Sequence, residues 1–233
     1  MAKNPVYILP GTLCNQRMFA AQIVALKNAG YTPHVIPFTQ QTSIAEMAEL
    51  TKTIALEPAP FIGFSMGGIV ALALLKSNPE LIQSLCLISS NHLADKPERS
   101  AIRLKQIAQA NSTNIEDVLK NDFLPHYFHQ PNEQHSQIAL TMANELGVNA
   151  FSAQLQALAT REDTLNVIAQ TAKKLLFIGG EHDVLCPTNI QQTMHNACAN
   201  SDLILLGNCG HFIPLERSNT LNVILLDWLE SLS

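Results

Sequence analysis

Charge is sparse in this 233-residue sequence: 14% of its residues are charged, against 47% hydrophobic. Lys and Arg number 14 and Asp and Glu 19, a formal net charge of −5, which removes any general electrostatic reason to bind nucleic acid. Cysteine is sparse too. Cys14, Cys86, Cys186, Cys198 and Cys209 are odd in number and show no C-x-x-C spacing, so neither a disulfide framework nor a zinc ribbon is supported. They are expected to be reduced, small apolar fillers. Long hydrophobic runs are missing as well: "MAKNPVYILPGT" holds a short apolar run broken by Pro5 and Pro10, too brief for a signal-peptide core or a membrane span. The reading is a cytoplasmic protein with no membrane span. Internal repeats and low-complexity tracts are also absent, and this length and apolar content predict one large core with a small insertion.

What is present is an alternation of short β-like runs with longer helical ones. "VYILPG" reads as a strand closed by Pro and Gly, and "QRMFAAQIVALKNAG" as a helix ending at Gly30. "TPHVIPF" is a second strand. "SIAEMAELTKTIAL" is a helix with Ser43 as its cap and Glu46 completing a capping box. "APFIGF", "MGGIVALALLKSNP" and "SLCLISS" continue as strand, helix and strand. Later, "KKLLFIGG" and "DLILLGN" are strands, and "SNTLNVILLDWLES" is a closing helix capped by Ser218. Strands separated by helices predict an α/β fold: a mostly parallel sheet with helices on both faces. Between Asn91 and Asn149 the alternation stops. "AIRLKQIAQA" and "EDVLKNDFLPHYF" are helical and no strand is evident, so residues 92–149 are expected to form a helical cap inserted into a core of 1–91 and 150–233.

Gly63-Phe64-Ser65-Met66-Gly67 fits G-x-S-x-G at the junction of a strand and a helix. Serine there sits on a sharp turn with its hydroxyl raised above the sheet, and glycines at 63 and 67 remove Cβ atoms that would collide as strand and helix close together. A serine hydroxyl needs a base and a group to orient that base. His211, in "GNCGHFIPLE", follows an apolar strand and precedes the closing helix. The other histidines have weaker positions: His126, His129 and His135 fall in the insertion among prolines, and His34, His92, His182 and His195 read as satisfied or exposed side chains. The acid is expected between serine and histidine in the chain, and "LLFIGGEHDVLCP" supplies Asp183, with Glu181 as its competitor. Backbone N–H groups of Met66 and of Thr12 or Leu13, in "ILPGTLCNQRMF", are the candidate oxyanion donors.

These residues together resemble the α/β-hydrolase superfamily and its small capped esterase branch. "PGTLCNQRMF", "GFSMGG", Gly180 to Pro187 as G-x-x-D-x-x-x-P and Gly210 to Glu216 as G-H-x-x-x-x-E occur in that superfamily's order over essentially the whole chain, and "NAFSAQLQALATRED" is similar to its core helix after the cap. The resemblance implies a hydrolase with Ser65 as nucleophile, His211 as base and Asp183 orienting it, with no metal and no cofactor. Serine rather than aspartate at 65 argues against dehalogenase and epoxide-hydrolase chemistry, leaving carboxylic ester hydrolysis as the expectation. A narrower reading is an esterase similar to those that demethylate pimeloyl-acyl-carrier-protein methyl ester in biotin synthesis. Arg99, Arg103 and Lys105 would then meet an acidic carrier protein, since Arg99 and Arg103 share a helix face; a solvated basic face is the plainer account. Carbon–carbon bond hydrolases and perhydrolases use the same triad, and a ligand-binding protein on this fold is a further alternative.

Overall fold

The structure, a computed structural model, describes residues 4–232. β1 (Pro5–Leu9) leads through a 3-10 turn (Gln16–Phe19) into α1 (Ala20–Asn28), then β2 (Thr32–Val35), α2 (Ile44–Ile54), β3 (Ala59–Phe64), α3 (Met66–Ser77) and β4 (Ile82–Ile88). Helices α4 (Pro97–Ser112), α5 (Ile115–Val118), α6 (Glu133–Ala159) and α7 (Leu165–Gln170) follow before β5 (Lys174–Gly180). The chain closes with α8 (Thr188–Ala197), β6 (Ser201–Leu206), α9 (Ile213–Glu216) and α10 (Ser218–Glu230).

All six strands are parallel, in the order β2-β1-β3-β4-β5-β6. Every residue of β3 is buried, which requires helices on both faces of the sheet. The helices pair accordingly, α1 with α10 and α2 with α3. In α3, "MGGIVALALLKS", apolar residues run all the way round and nine of twelve are buried, the pattern of a helix sunk in a core. Each such Leu or Val contributes roughly 1.5–3 kcal/mol on burial. Edge strand β2 carries Pro33, which cannot donate to a further strand, so that edge is poorly suited to pairing with another chain.

β1 lies between β2 and β3, so the direction of winding reverses there. Parallel sheets open a crevice at such a reversal, beyond the carboxyl ends of the strands. Leu9 pairs with Gly63, and the two chains emerging from that end carry Gly11–Cys14 and Ser65. The topology therefore chooses where a site forms before any side chain is considered.

Several elements differ from their sequence reading. Ser218 is not a cap: it is the first residue of α10, after Arg217, and no side-chain hydrogen bond caps that helix. Arg217 instead donates to the Gly207 and Asn208 carbonyls at 3.0 and 2.8 Å. At α2, Ser43 accepts the Glu46 N–H at 3.1 Å, but Glu46 reaches back to the Thr42 N–H at 2.7 Å rather than to that of Ser43. "EDVLKNDFLPHYF" is not one helix, since α5 passes into a π turn (Leu119–Phe123) and a 3-10 turn (Leu124–His126) around Pro125. α6 bends at Gly147, whose φ of 74° and ψ of 178° are not helical. Among the described residues, no helix is long and apolar enough to cross a membrane.

Candidate active site

Ser65 links the end of β3 to the start of α3 with φ 51° and ψ −116°, a conformation an L-residue adopts at a cost of about 1–3 kcal/mol. The surroundings hold it there. Its N–H donates to the Ile88 carbonyl at 3.0 Å, and its carbonyl accepts the Ser90 hydroxyl at 2.8 Å. The close approach of strand and helix explains the glycines: a Cβ on Gly63 would lie 2.6 Å from the Gly68 Cα, and one on Gly67 would run into the Leu9 carbonyl. The Met66 N–H, first in a twelve-residue helix, is one of the donors that no helical carbonyl satisfies.

The long-range partners arrive from the ends of β5 and β6. His211 Nε2 stands 3.0 Å from Ser65 Oγ, and His211 Nδ1 stands 2.8 Å from Asp183 Oδ2. Both partners are nearly inaccessible, Asp183 at 4% and His211 at 2% exposure. Burial, the largest influence on Asp183, opposes its ionisation. The His211 charge and hydrogen bond and the Cys186 and Leu185 amides together outweigh it, holding the carboxyl below its ordinary value. Both amides bond to Oδ1, at 2.8 and 2.9 Å, leaving Oδ2 to His211. Glu181, the competitor, is exposed. His34 stacks on Tyr7, His92 lies 3.3 Å from Asp163, His129 stacks on His182, and His195 lies 2.8 Å from Ser201.

The loop after β1 distinguishes its two candidate donors. The Leu13 N–H donates to Gln154 Oε1 at 2.8 Å, so it is withdrawn from the role the sequence left open to it. The Thr12 and Met66 N–H groups have no acceptor among the described residues. The Thr12 hydroxyl lies 3.7 Å from Met66 Sδ, bringing this loop against the start of α3.

The basic cluster divides. Arg103 is bound to Asp95 at 2.8 Å, with Arg161 on the same carboxylate oxygen at 2.9 Å, and the Arg103 and Asp95 side chains are only 13% and 4% exposed. An arginine held in a buried ion pair is not available to a partner protein, which removes Arg103 from the docking face. Arg99 and Lys105 are exposed, flanking the exposed Ile102 and Leu104 of α4.

Some contacts that build the site had little sequence signal. Glu216 accepts from the Gly210 N–H at 3.0 Å and the His129 N–H at 2.8 Å, tying the histidine loop to the inserted segment. Gln154 offers one hint, as a polar side chain whose neighbours three and four residues away, Ala150, Phe151, Ala157 and Leu158, are all apolar, so that its helix face is one where burial demands partners. Asp183, Cys186 and His211 bring metal-ligand types within 4.8 Å of one another. Asp183 and His211 bond to each other, and burial followed by the Asp183 charge pushes the Cys186 thiol up to about 12.

A family profile described as "Hydrolase_4: Serine aminopeptidase, S33" matches residues 38–218. A pimeloyl-[acyl-carrier protein] methyl ester esterase of Neisseria meningitidis is 24% identical over 98% of this chain and 94% of its own length. A thermophilic esterase from Thermogutta terrifontis superposes with a TM-score of 0.88 at 18% identity, over 98% of this chain and 90% of that one. An esterase from Exiguobacterium antarcticum superposes at 0.83 and 21% identity, over 97% and 92%. The fold is that of the α/β hydrolases.

Proposed function

The chain belongs to the serine aminopeptidase S33 family of hydrolases, and from that premise we propose that it cleaves carboxylic esters through an acyl-enzyme on Ser65. The observation that carries the proposal is the continuous contact from Asp183 Oδ2 through the His211 ring to Ser65 Oγ, at 2.8 and 3.0 Å. His211 Nε2 takes the hydroxyl proton as Oγ attacks the ester carbonyl carbon. Asp183 fixes the ring through Nδ1–H and stabilises the imidazolium. The Met66 and Thr12 N–H groups receive the oxyanion. Collapse of the intermediate breaks the bond to the alcohol oxygen, which leaves with the proton from His211. Water, deprotonated by His211, then attacks the acyl carbon, and the bond to Ser65 Oγ breaks as Oγ takes that proton back from His211 and the acid leaves. Ester and water alone balance the reaction.

A finer reading is an ester borne on an acyl carrier protein. It is supported by the Neisseria relative's name and by Arg99 and Lys105, exposed beside Ile102 and Leu104, which suit an acidic partner with apolar contacts. Residues 92–149 would then act as the cap bearing that face. Fluorophosphonate labelling tests the central reading: the protein is expected to be labelled at Ser65 and to show a burst with p-nitrophenyl butyrate. Unlabelled protein, or equal labelling of Ser65→Ala, overturns the reading; labelling with no burst turns it towards a serine whose natural acyl donor is not a simple ester.

A further inference from the structure

Gln154 lies on α6, far in sequence from everything it touches. Its side chain is 1% exposed and uses both ends of its amide: Oε1 accepts the Leu13 N–H at 2.8 Å, and Nε2 donates to the Phe38 carbonyl at 2.7 Å. One partner only donates and the other only accepts, so the amide has a single orientation. Three segments meet on it: the loop after β1, the loop after β2, and the part of α6 beyond its bend at Gly147.

The first of these is the loop next to the nucleophile. It is a turn closed by the Cys14 N–H on the Gly11 carbonyl at 3.1 Å, with Leu13 as its third residue at φ 54°. That position favours glycine, because a side chain there is strained. A leucine in this conformation needs something to hold it. A Cβ on Gly11 would lie 3.2 Å from the Ser65 Cβ, so a relaxation of this turn is felt directly at the nucleophile. The Leu13 N–H and the Thr12 carbonyl share one rigid peptide plane, and the Thr12 N–H, which has no acceptor among the described residues, lies in the preceding plane with the Gly11 carbonyl; the left-handed Leu13 joins the two by keeping the Cys14 N–H on that carbonyl.

We propose that Gln154 is a positioning residue for the oxyanion site: its side-chain amide holds Leu13 in the left-handed conformation and thereby keeps the Thr12 N–H facing the space in front of Ser65. The inference rests on the acyl-enzyme reading of Ser65 and adds the residue that shapes its transition-state site. Loss of this anchor leaves the Leu13 N–H buried and unpaired, and the turn escapes its strain by giving up the Cys14–Gly11 hydrogen bond, which frees the Gly11–Thr12 peptide plane that carries the Thr12 N–H. Ground-state binding of the ester does not depend on that amide, so the effect belongs in kcat rather than in KM.

Gln154→Met keeps the volume and removes both hydrogen bonds. Its kcat for p-nitrophenyl butyrate should fall by about 10- to 100-fold, with KM within about threefold. Adding Leu13→Gly, which adopts positive φ without strain, should restore at least about fivefold of the lost kcat. A kcat within about threefold of the parent, or a loss that Leu13→Gly leaves unrecovered, overturns the proposal. Should Gln154→Met fail to fold, Gln154→Glu carries the test: its carboxyl, protonated against the Phe38 carbonyl, donates there and keeps an acceptor for the Leu13 N–H, so kcat should stay within about threefold, and a larger loss in folded protein overturns the proposal. Parent protein that labels at Ser65 and turns over while Gln154→Met matches it sinks the positioning role alone. Parent protein that neither labels nor turns over sinks the acyl-enzyme reading and this role with it.

Discussion

The backbone carbonyl of Tyr127 accepts the N–H of His211 at 2.9 Å and that of Phe212 at 3.1 Å. The segment between β4 and β5 is thus part of the frame that holds His211. The same contact brings the chain so close that a Cβ on Gly210 would lie 2.6 Å from the His129 nitrogen. Glu216 completes the clamp, with one carboxylate oxygen on each side of the junction.

Removing that clamp should therefore cost both stability and rate. Glu216→Ala leaves the Gly210 and His129 N–H groups without their charged acceptor, a loss of roughly 2–4 kcal/mol. Urea unfolding should register the loss, and kcat should fall because the His211 loop is no longer fixed. Unchanged unfolding and unchanged kcat would show that the clamp is dispensable.

Ser65→Ala should lower kcat for p-nitrophenyl esters by about 10⁴-fold or more while circular dichroism stays that of the parent. Near-normal turnover in this variant would remove Ser65 from the reaction.

Asp183 links activity to acid stability. Its folded pKa is lowered below the unfolded value of about 3.9, so the stability it contributes is fully present above that pH and is lost as pH falls through the lower folded value. Asp183→Asn should be less stable than the parent at pH 7, with the gap closing below about pH 4. Its kcat at pH 7 should drop by up to about 10⁴-fold, because an amide favours the wrong ring tautomer. Urea midpoints measured from pH 3 to 8 check the first expectation, and a gap that widens in acid contradicts it.

Close packing where β3 turns into α3 makes Gly63→Ala a test of the turn itself. The added Cβ meets backbone, which cannot yield as a side chain would, and destabilisation of about 3 kcal/mol or more is expected. Thermal unfolding within a degree of the parent would mean that the strand and helix part easily.

The two sides of the basic cluster should separate in assays with a carrier-bound ester. Charge reversal at Arg99 and Lys105 should raise KM for an acyl-carrier-protein methyl ester and leave p-nitrophenyl butyrate unaffected. Arg103→Glu should instead lower stability, since it sets a carboxylate against the buried Asp95, a loss of roughly 3–5 kcal/mol. Equal turnover of both esters by the Arg99 and Lys105 reversals would remove the docking face.

The sequence by itself determined what depends on local periodicity and chain order. Apolar strands such as "APFIGF" alternating with helices such as "MGGIVALALLKS" specify a parallel sheet, since each element must bury its apolar surface on its neighbours. The glycines around Ser65 and the loop positions of Asp183 and His211 were legible for the same reason. Only the tertiary structure decided that the Leu13 N–H, of the two candidates, is already taken, because its acceptor is Gln154, 141 residues away. It also decided that Arg103 is committed to Asp95 and that Tyr127, between β4 and β5, holds the His211 backbone. A hydrogen bond is a matter of distances near 3 Å and of burial, and no pattern along the chain encodes either for residues that meet only after folding.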